Sequence, residues 1–381
     1  MDTDFLIVGA GPFGLAAAAE ADELGIDHIV VGDPMGFWHR HMPRGMVLRS
    51  GRDWNLDPTE HTSLAGYLAR TRAVSVDAPI PISEYLAYVE WLIRELDIVM
   101  VRKNVVRLDD DGERLRATAD DGTSITARRV LLALGFGNSA NIPPEVVARL
   151  GPVPHVHTGE VTEPARYAGE LLLVVGGRQS AFETSALLAE AGAASVDIAY
   201  RHDTPAFVPS DWSWVTPLIR RFETEPHWYH GLDDAERADL GKRFWAEGRL
   251  KLESWLAERL RHPSIRLHPK SEIEKAVRGD DGFAVALTDG RTLAVDRAIL
   301  ATGYRMDIDN VPMLADGNLA GRIETADGFP VLDDVLQTSV PGLYMTSFAA
   351  TRDFGPFFAF TAAAGVAARI VGHAVARSLE E

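Results

Sequence analysis

Short apolar runs and helical stripes alternate along this chain. Phe5 to Val8 is continuously apolar, and Leu15 to Leu24 carries alanine and leucine at helical spacing before Gly25. Such a run reads as a strand buried on both faces, and the stretch after it as a helix that the glycine stops. His28 to Val31 repeats the strand pattern. Phe37 to Ser50 mixes aromatic, basic and thioether side chains without periodicity, which predicts a loop. Ile82 to Leu96 sets Tyr85, Val89 and Leu92 along one side, with Ser83 and Glu84 as start signals, and predicts an amphipathic helix. Val99 to Val106, Leu115 to Ala119 and Ser124 to Ala127 cluster apolar residues around Asp-Asp-Gly turns, as in a small antiparallel sheet. Arg129 to Ala133 returns to a buried strand and runs into Gly135, Gly137 and Pro143-Pro144, a linker signature.

The pattern then begins again. Leu171 to Val175 reads as a strand, Thr184 to Ala191 as a helix, and Val196 to Tyr200 as a strand. Residues from about 205 to 263 form an insertion with Trp212, Trp214, Trp228, Trp245 and Trp255, helical in period from Asp233 onward. Phe244, Leu252, Trp255, Leu256 and Leu260 recur at helical spacing, so the insertion is either a helical hairpin packed on the sheet or an aromatic lid over a substrate. Ile265 to Leu267, Ala284 to Thr288 and Thr292 to Val295 read as strands, followed by Arg297 to Ala301, the run Gly342 to Ser347, and a helix opening at Gly355-Pro356-Phe357 and continuing through Ala374. This plan predicts an α/β protein with two Rossmann-like, glutathione-reductase-type dinucleotide-binding domains, the second inserted in the first. The expected division is 1–150 with 296–381 for the first domain, and 151–295 for the second with its helical insertion.

Composition narrows the partners. The 381 residues carry a formal net charge of −17, which argues against nucleic acid or an anionic membrane as the main partner. There is no cysteine, so disulfides, thiolate metal sites and cysteine redox relays are excluded within this chain. Asp2 and Asp4 replace the basic start of a signal peptide, and glycines break the apolar stretch that follows, so neither a leader nor a membrane span is read and a cytoplasmic location is expected. His39 and His41 form an HxH pair with no carboxylate or cysteine at ligand spacing, so no metal is expected there.

Candidate chemistry sits at the strand ends. In Gly9-Ala10-Gly11-Pro12-Phe13-Gly14, Gly9 makes a tight turn, Gly11 lets the backbone approach a pyrophosphate, and Gly14 lets helix and strand pack closely. Pro12 suits the first helical turn, and the helix N-terminus beyond it favours an anion. Asp33 is the candidate for an adenosine ribose, or else a turn residue before Pro34. Trp38 is placed to stack on a flat ring and Arg40 or Arg49 to bind its phosphate or carbonyl, the alternative being a packed loop with solvated arginines. In the second loop, Gly176-Gly177-Arg178-Gln179-Ser180-Ala181, an arginine and an alanine replace the second and third glycines. Arg178 either crowds a pyrophosphate, at a further cost of about 1–2 kcal/mol if its φ is positive, or pairs with it. Arg201 stands where an arginine accepts the 2′-phosphate of NADP, or is a surface residue. At Gly355-Pro356-Phe357 small residues let a helix N-terminus approach a ligand, an effect that Asp353 opposes unless it points to solvent.

The order Gly9 to Gly14, Arg129 to Gly135, Val174 to Glu183, Ala301 to Tyr304 and Gly342 to Ser347 resembles the two-dinucleotide-binding-domain flavoproteins over nearly the whole chain. Within them, the Ala301-Thr302-Gly303-Tyr304 stretch, the Ser180-Ala181-Phe182-Glu183 loop and the late Phe354-Gly355-Pro356-Phe357 resemble class B flavin-dependent monooxygenases. That family's FxGxxxH fingerprint is reduced here to His157-Thr158. The resemblance implies FAD at the first loop and NADPH at the second, hydride transfer to the flavin, capture of O2 as a C4a-(hydro)peroxide, and oxygenation of a small molecule at nitrogen or sulfur. It implies FAD contacts from Gly9, Gly11, Gly14, Asp33, Trp38 and Gly135, and the backbone of Val105 at the adenine. Nicotinamide-nucleotide contacts are implied for Gly176, Gln179, Ser180, Arg201 and Thr302, with Arg178 at the pyrophosphate; Gly177, Gly303, Tyr304 and Phe357 adjoin these positions. A flavin reductase without oxygen insertion, and a non-enzymatic nucleotide sensor, are the other classes compatible with these residues.

Overall fold

The computed structural model describes residues 1–57, 61–72, 74–75, 78–279 and 282–380. Its first sheet is ordered Met100–Val101, His28–Val31, Asp2–Val8, Ser124–Leu132, Leu115–Ala119, Val105–Asp110, and Leu343–Met345 also pairs with Ser124–Leu132. The strands from Met100 to Ser124–Leu132 run parallel, while Leu115–Ala119 and Val105–Asp110 turn back antiparallel. Phe5, Leu6 and Ile7 have no exposed surface, as a strand covered on both faces requires. The second sheet is wholly parallel, in the order Ile265–Pro269, Ser195–Tyr200, Leu171–Val175, Arg297–Leu300, His155–His157. A three-stranded antiparallel sheet, Ile273–Gly279, Gly282–Leu287 and Thr292–Val295, lies beside it. Among the described residues no helix is long and apolar enough to cross a membrane.

Several boundaries differ from the sequence reading. Ser124 to Ala127 and Arg129 to Ala133 are one strand, Ser124–Leu132, which faces an antiparallel partner at its start and the parallel Leu343–Met345 at its end. Val99 to Val106 divides into Met100–Val101 and Val105–Asp110, which pair with different strands. Ile273–Gly279 had no apolar alternation to announce it, because most of its side chains are exposed. The expected loop after Phe37 contains a helix, Gly36–His41, entered from Met35 with φ of 52°. In the insertion, Leu252 lies in a two-residue strand pairing with Ala206–Phe207 rather than on a helix, and the helix Asp234–Arg249 has no buried residue. That helix is started by a reciprocal cap between Asp233 and Glu236.

The insertion is anchored at its ends. Val215, Ile219, Phe222, Trp228 and Tyr229 enter the core of the first sheet, and Leu252 and Leu256 the core of the second. Phe222 packs on Phe354, Phe357 and Phe358 with ring centroids 5.2 to 6.3 Å apart. The last helix does not start at Pro356. Pro356–Ala359 and Thr361–Ala363 are short 3-10 turns with Phe360 extended between them, and regular helix runs only over Ala364–Glu380. Asp353 does not point to solvent: it is buried, accepts the Leu332 N–H at 2.9 Å and pairs with Arg352 at 2.6 Å. Asp353→Ala leaves a buried amide unsatisfied and should destabilise the protein by about 1–3 kcal/mol, measured by urea unfolding at pH 7.

Candidate functional site

The first glycine loop opens on a cavity of about 560 Å³. Gly9 has φ of +113°, and a Cβ there would lie 2.4 Å from the Ala133 carbonyl oxygen. A Cβ on Gly14 would lie 1.8 Å from the Gly9 carbonyl oxygen. Both glycines are therefore required by the protein's own backbone. Gly11 is different: its φ of −88° suits any residue, and a Cβ would meet no protein atom within 4 Å, yet it lines the cavity. Only something held in the cavity gains from its small size, so the loop fits a pyrophosphate at the uncapped N-terminus of Pro12–Glu23. Phe13, Asp33, Trp38, Arg40, Val105 and Gly135 also line this cavity. Asp33 and Arg40 form an ion pair, and Trp38 packs on the buried Tyr85 at 5.0 Å. His41 lines the cavity with Nδ1 3.0 Å from the Gly159 carbonyl oxygen.

The second loop opens on a cavity of about 620 Å³ lined by Gly176, Gly177, Arg178, Ser180, Arg201, His202, Thr302, Gly303 and Tyr304. A Cβ on Gly176 (φ of +142°) would lie 2.4 Å from the Ala301 carbonyl oxygen, the counterpart of Gly9 against Ala133. Arg178 has φ of −119° and ψ of −175°, an extended conformation like that of Gly11, so the strain expected of a positive φ is absent. Its guanidinium turns toward the insertion, donating to the Arg249 carbonyl oxygen at 2.6 Å and lying 5.0 Å from the Trp245 ring centre. Burial, with Arg249 and Arg201 nearby, lowers its pKa. Arg201 is exposed at the rim.

Tyr304 and Ser180 line both cavities. The Tyr304 ring lies 5.0 Å from Phe136 and edge-on to His157 at 5.3 Å. Burial pushes its hydroxyl pKa up to about 12, so it stays a donor at neutral pH. His157 accepts the Gly159 N–H through Nδ1 at 3.1 Å, which leaves Nε2 as the donor to the Gly303 carbonyl oxygen at 3.0 Å. Burial also lowers the His157 pKa and favours this neutral tautomer.

Four sequence-derived candidates lie elsewhere, Gly14 among them, because it packs against the Gly9 carbonyl and lines neither cavity. Phe357 is fully buried in the ring cluster around Phe222 and lines neither cavity; Phe360 and Thr361 occupy the cavity wall instead, because the chain breaks from helix there. Arg49 is held outside by Glu253, the Gly248 carbonyl and Ser210. Gln179 is buried between Glu183 and the Glu253 N–H. Trp54, Phe136 and Phe360 were missed as site residues, with only the aromatic density of the neighbouring sequence to hint at them, and His157, read only as the remnant of a fingerprint, supports Tyr304 from behind the cavities.

Glu183 joins the two halves: it accepts the Val47 N–H at 3.0 Å and the Gln179 side-chain N–H at 3.2 Å. Burial pushes its pKa up to about 7 from 4.5. Between those values the native state holds a proton that the unfolded chain has lost, so stability falls as pH rises across the window, by about 3 kcal/mol in total. Glu183→Gln should remove this slope, read from urea midpoints at pH 5 and pH 7. At the first loop, Gly14→Ala should cost about 1–3 kcal/mol of stability without ligand. Gly11→Ala should leave that stability within about 0.5 kcal/mol and weaken FAD binding by about tenfold or more, or 1.4 kcal/mol; flavin fluorescence titration of both variants checks the contrast.

Two family models described as pyridine nucleotide-disulphide oxidoreductase match residues 6–226 and 238–347. A ferredoxin–NADP reductase of Ignicoccus hospitalis is 28% identical over 203 residues, covering 52% of this chain and 57% of that protein. An FAD-dependent urate hydroxylase of Xanthomonas campestris pv. campestris is 25% identical over 338 residues, covering 84% of this chain and 69% of that protein. The chain thus spans little more than half of the reductase. The solved ornithine N-hydroxylase of Kutzneria sp. 744, containing reduced FAD, NADP+ and L-ornithine, has the same fold, with a TM-score of 0.78 at 15% identity over 100% of both chains. The chain belongs to the pyridine nucleotide-disulphide oxidoreductase family, as a two-nucleotide flavoprotein oxidoreductase.

Proposed function

We propose that this protein is an NADPH-driven, FAD-dependent monooxygenase acting on a small molecule, with nitrogen or sulfur as the atom oxygenated. FAD occupies the first cavity and NADPH the second; the expected division at residue 296 shifts, because Arg297–Leu300 lies in the second sheet and Thr302 to Tyr304 line the second cavity, leaving the first part to residues 1–150 and the chain after Tyr304. The observation that supports this reading is the sharing of Tyr304 and Ser180 by both cavities, since a hydride donor and an acceptor bound in them would then meet. When bound, FAD supplies hydride acceptance and the activation of O2 at its C4a atom. In the overall reaction one oxygen atom enters the substrate, the other becomes water, and NADPH supplies two electrons. Gly11 and the helix start hold the pyrophosphate, Asp33 the ribose and Trp38 the ring edge. The Tyr304 hydroxyl orients the nicotinamide end, His157 holds the Gly303 carbonyl and the Tyr304 ring in place behind it, and Phe37, Phe136 and Phe348 exclude water from it.

A reductase that passes electrons to a separate acceptor is supported by the likeness to the ferredoxin–NADP reductase. A relay through thiols of this chain is ruled out because it has none. Anaerobic mixing with NADPH should bleach the bound flavin, and adding 18O2 with substrate should place one labelled atom in the product. Flavin that stays oxidised would sink both readings, while reduction followed only by peroxide release favours the reductase. Arg201→Ala should raise KM for NADPH by about ten- to a hundredfold, as loss of a charge-assisted phosphate contact does, and leave KM for NADH unchanged in steady-state assays.

A further inference from the structure

The two ends of the first cavity differ in chemistry. Its described lining residues with formal charge are Asp33, Arg40 and Lys103, gathered near Gly32 and Val105, and Asp33 is already paired with Arg40. The other end is built from Met42, Met46, Ser50, Trp54, Phe360 and Thr361. Trp54 and Phe360 stack with centroids 5.4 Å apart and planes 22° from parallel. Behind Phe360 stand Trp212, edge-on at 5.1 Å, and Phe244 at 5.1 Å, both from the insertion. Polar side-chain character there comes from neutral groups: Ser50 Oγ is 3.5 Å from Thr361 Oγ1, the fully buried Tyr85 hydroxyl lies beside Thr361, and Trp54 carries an indole N–H.

Among the described lining residues at this end none carries a carboxylate, so an ammonium group brought here would lose its water without a paired charge from the wall, a cost of several kcal/mol. Nor is this an ammonium cage, which needs ring faces that converge; Trp54 and Phe360 stack on one another, so the faces turned toward each other are taken and only the outer side of the pair meets the cavity. A planar ring gains by packing on that outer side, against methionine sulfurs that adapt to its outline. Neutral hydroxyls then match a ring N–H or carbonyl edge.

We propose that the substrate is a planar aromatic or heteroaromatic molecule with no cationic group, packed against the outer side of the Trp54–Phe360 pair with its polar edge toward Ser50 and Thr361. This rests on the reading that FAD fills the rest of the cavity. The test uses FAD-loaded protein at pH 8, with benzimidazole as the ring probe and L-ornithine as the cationic one, each followed by calorimetric titration and by NADPH and O2 consumption. Benzimidazole should bind and L-ornithine should not. Trp54→Ala should weaken benzimidazole binding about tenfold, the size of one stacking contact, while Trp54→Phe restores most of it and both variants retain stoichiometric FAD. Binding of L-ornithine, no binding of benzimidazole, or an affinity unchanged in Trp54→Ala would each overturn the proposal. Ring binding that depends on Trp54 without NADPH oxidation would leave the ring site standing and remove the monooxygenase reading alone.

Discussion

One backbone contact, made twice, fixes the geometry on which everything else depends. At the end of Asp2–Val8 the Gly9 N–H reaches the Val31 carbonyl at 2.8 Å, and the Ala133 N–H reaches the Val8 carbonyl at 2.9 Å. At the end of Leu171–Val175 the Gly176 N–H reaches the Ala199 carbonyl at 3.0 Å, and the Ala301 N–H reaches the Val175 carbonyl at 2.9 Å. In both copies the glycine lies so close to the neighbouring carbonyl that no side chain fits. This closeness turns the chain sharply off the strand and aims a helix start at the cavity. The third strand of each copy then ends in a matching turn, at Gly135 and Gly303, both with positive φ and nothing beside them.

The residues after those two turns are Phe136 and Tyr304, which touch one another. Equivalent positions of a duplicated unit thus meet at the junction of the cavities, where electron transfer between two bound nucleotides needs a short, dry path. Around that junction the polar groups are neutral and fixed. His157 is held as one tautomer by two backbone groups, and Tyr304 keeps its proton because burial disfavours the phenolate.

The insertion ties the halves together through long hydrogen-bonded connections as well as through the apolar side chains it places in both cores. Arg49, Glu253, Gln179, Glu183 and Val47 form a continuous chain from the second loop's helix to the wall of the first cavity. Arg178, in the place of the loop's second glycine, has been recruited to the same task by Trp245 and Arg249. The family's description speaks of disulphides, whereas this chain contains no cysteine to form one.

Much of this was legible in the sequence. The strands His28–Val31, Leu115–Ala119 and Thr292–Val295 follow from their apolar runs, and the first helix from its glycine boundaries, because these patterns are enforced by neighbours within a few residues. The chemistry of Gly9, Gly11 and Gly14 is likewise local. Tertiary structure alone decided which aromatic residues face a ligand: Phe357 and Phe360 are three positions apart, yet one is core and the other cavity wall, because a break between two short turns reorients the chain. It also decided that Arg49 serves Glu253 instead of a ligand, since its partners come from more than 160 residues away. Spacing along a chain encodes local periodicity, whereas the partner of a long side chain is set by whichever distant segment the packing delivers.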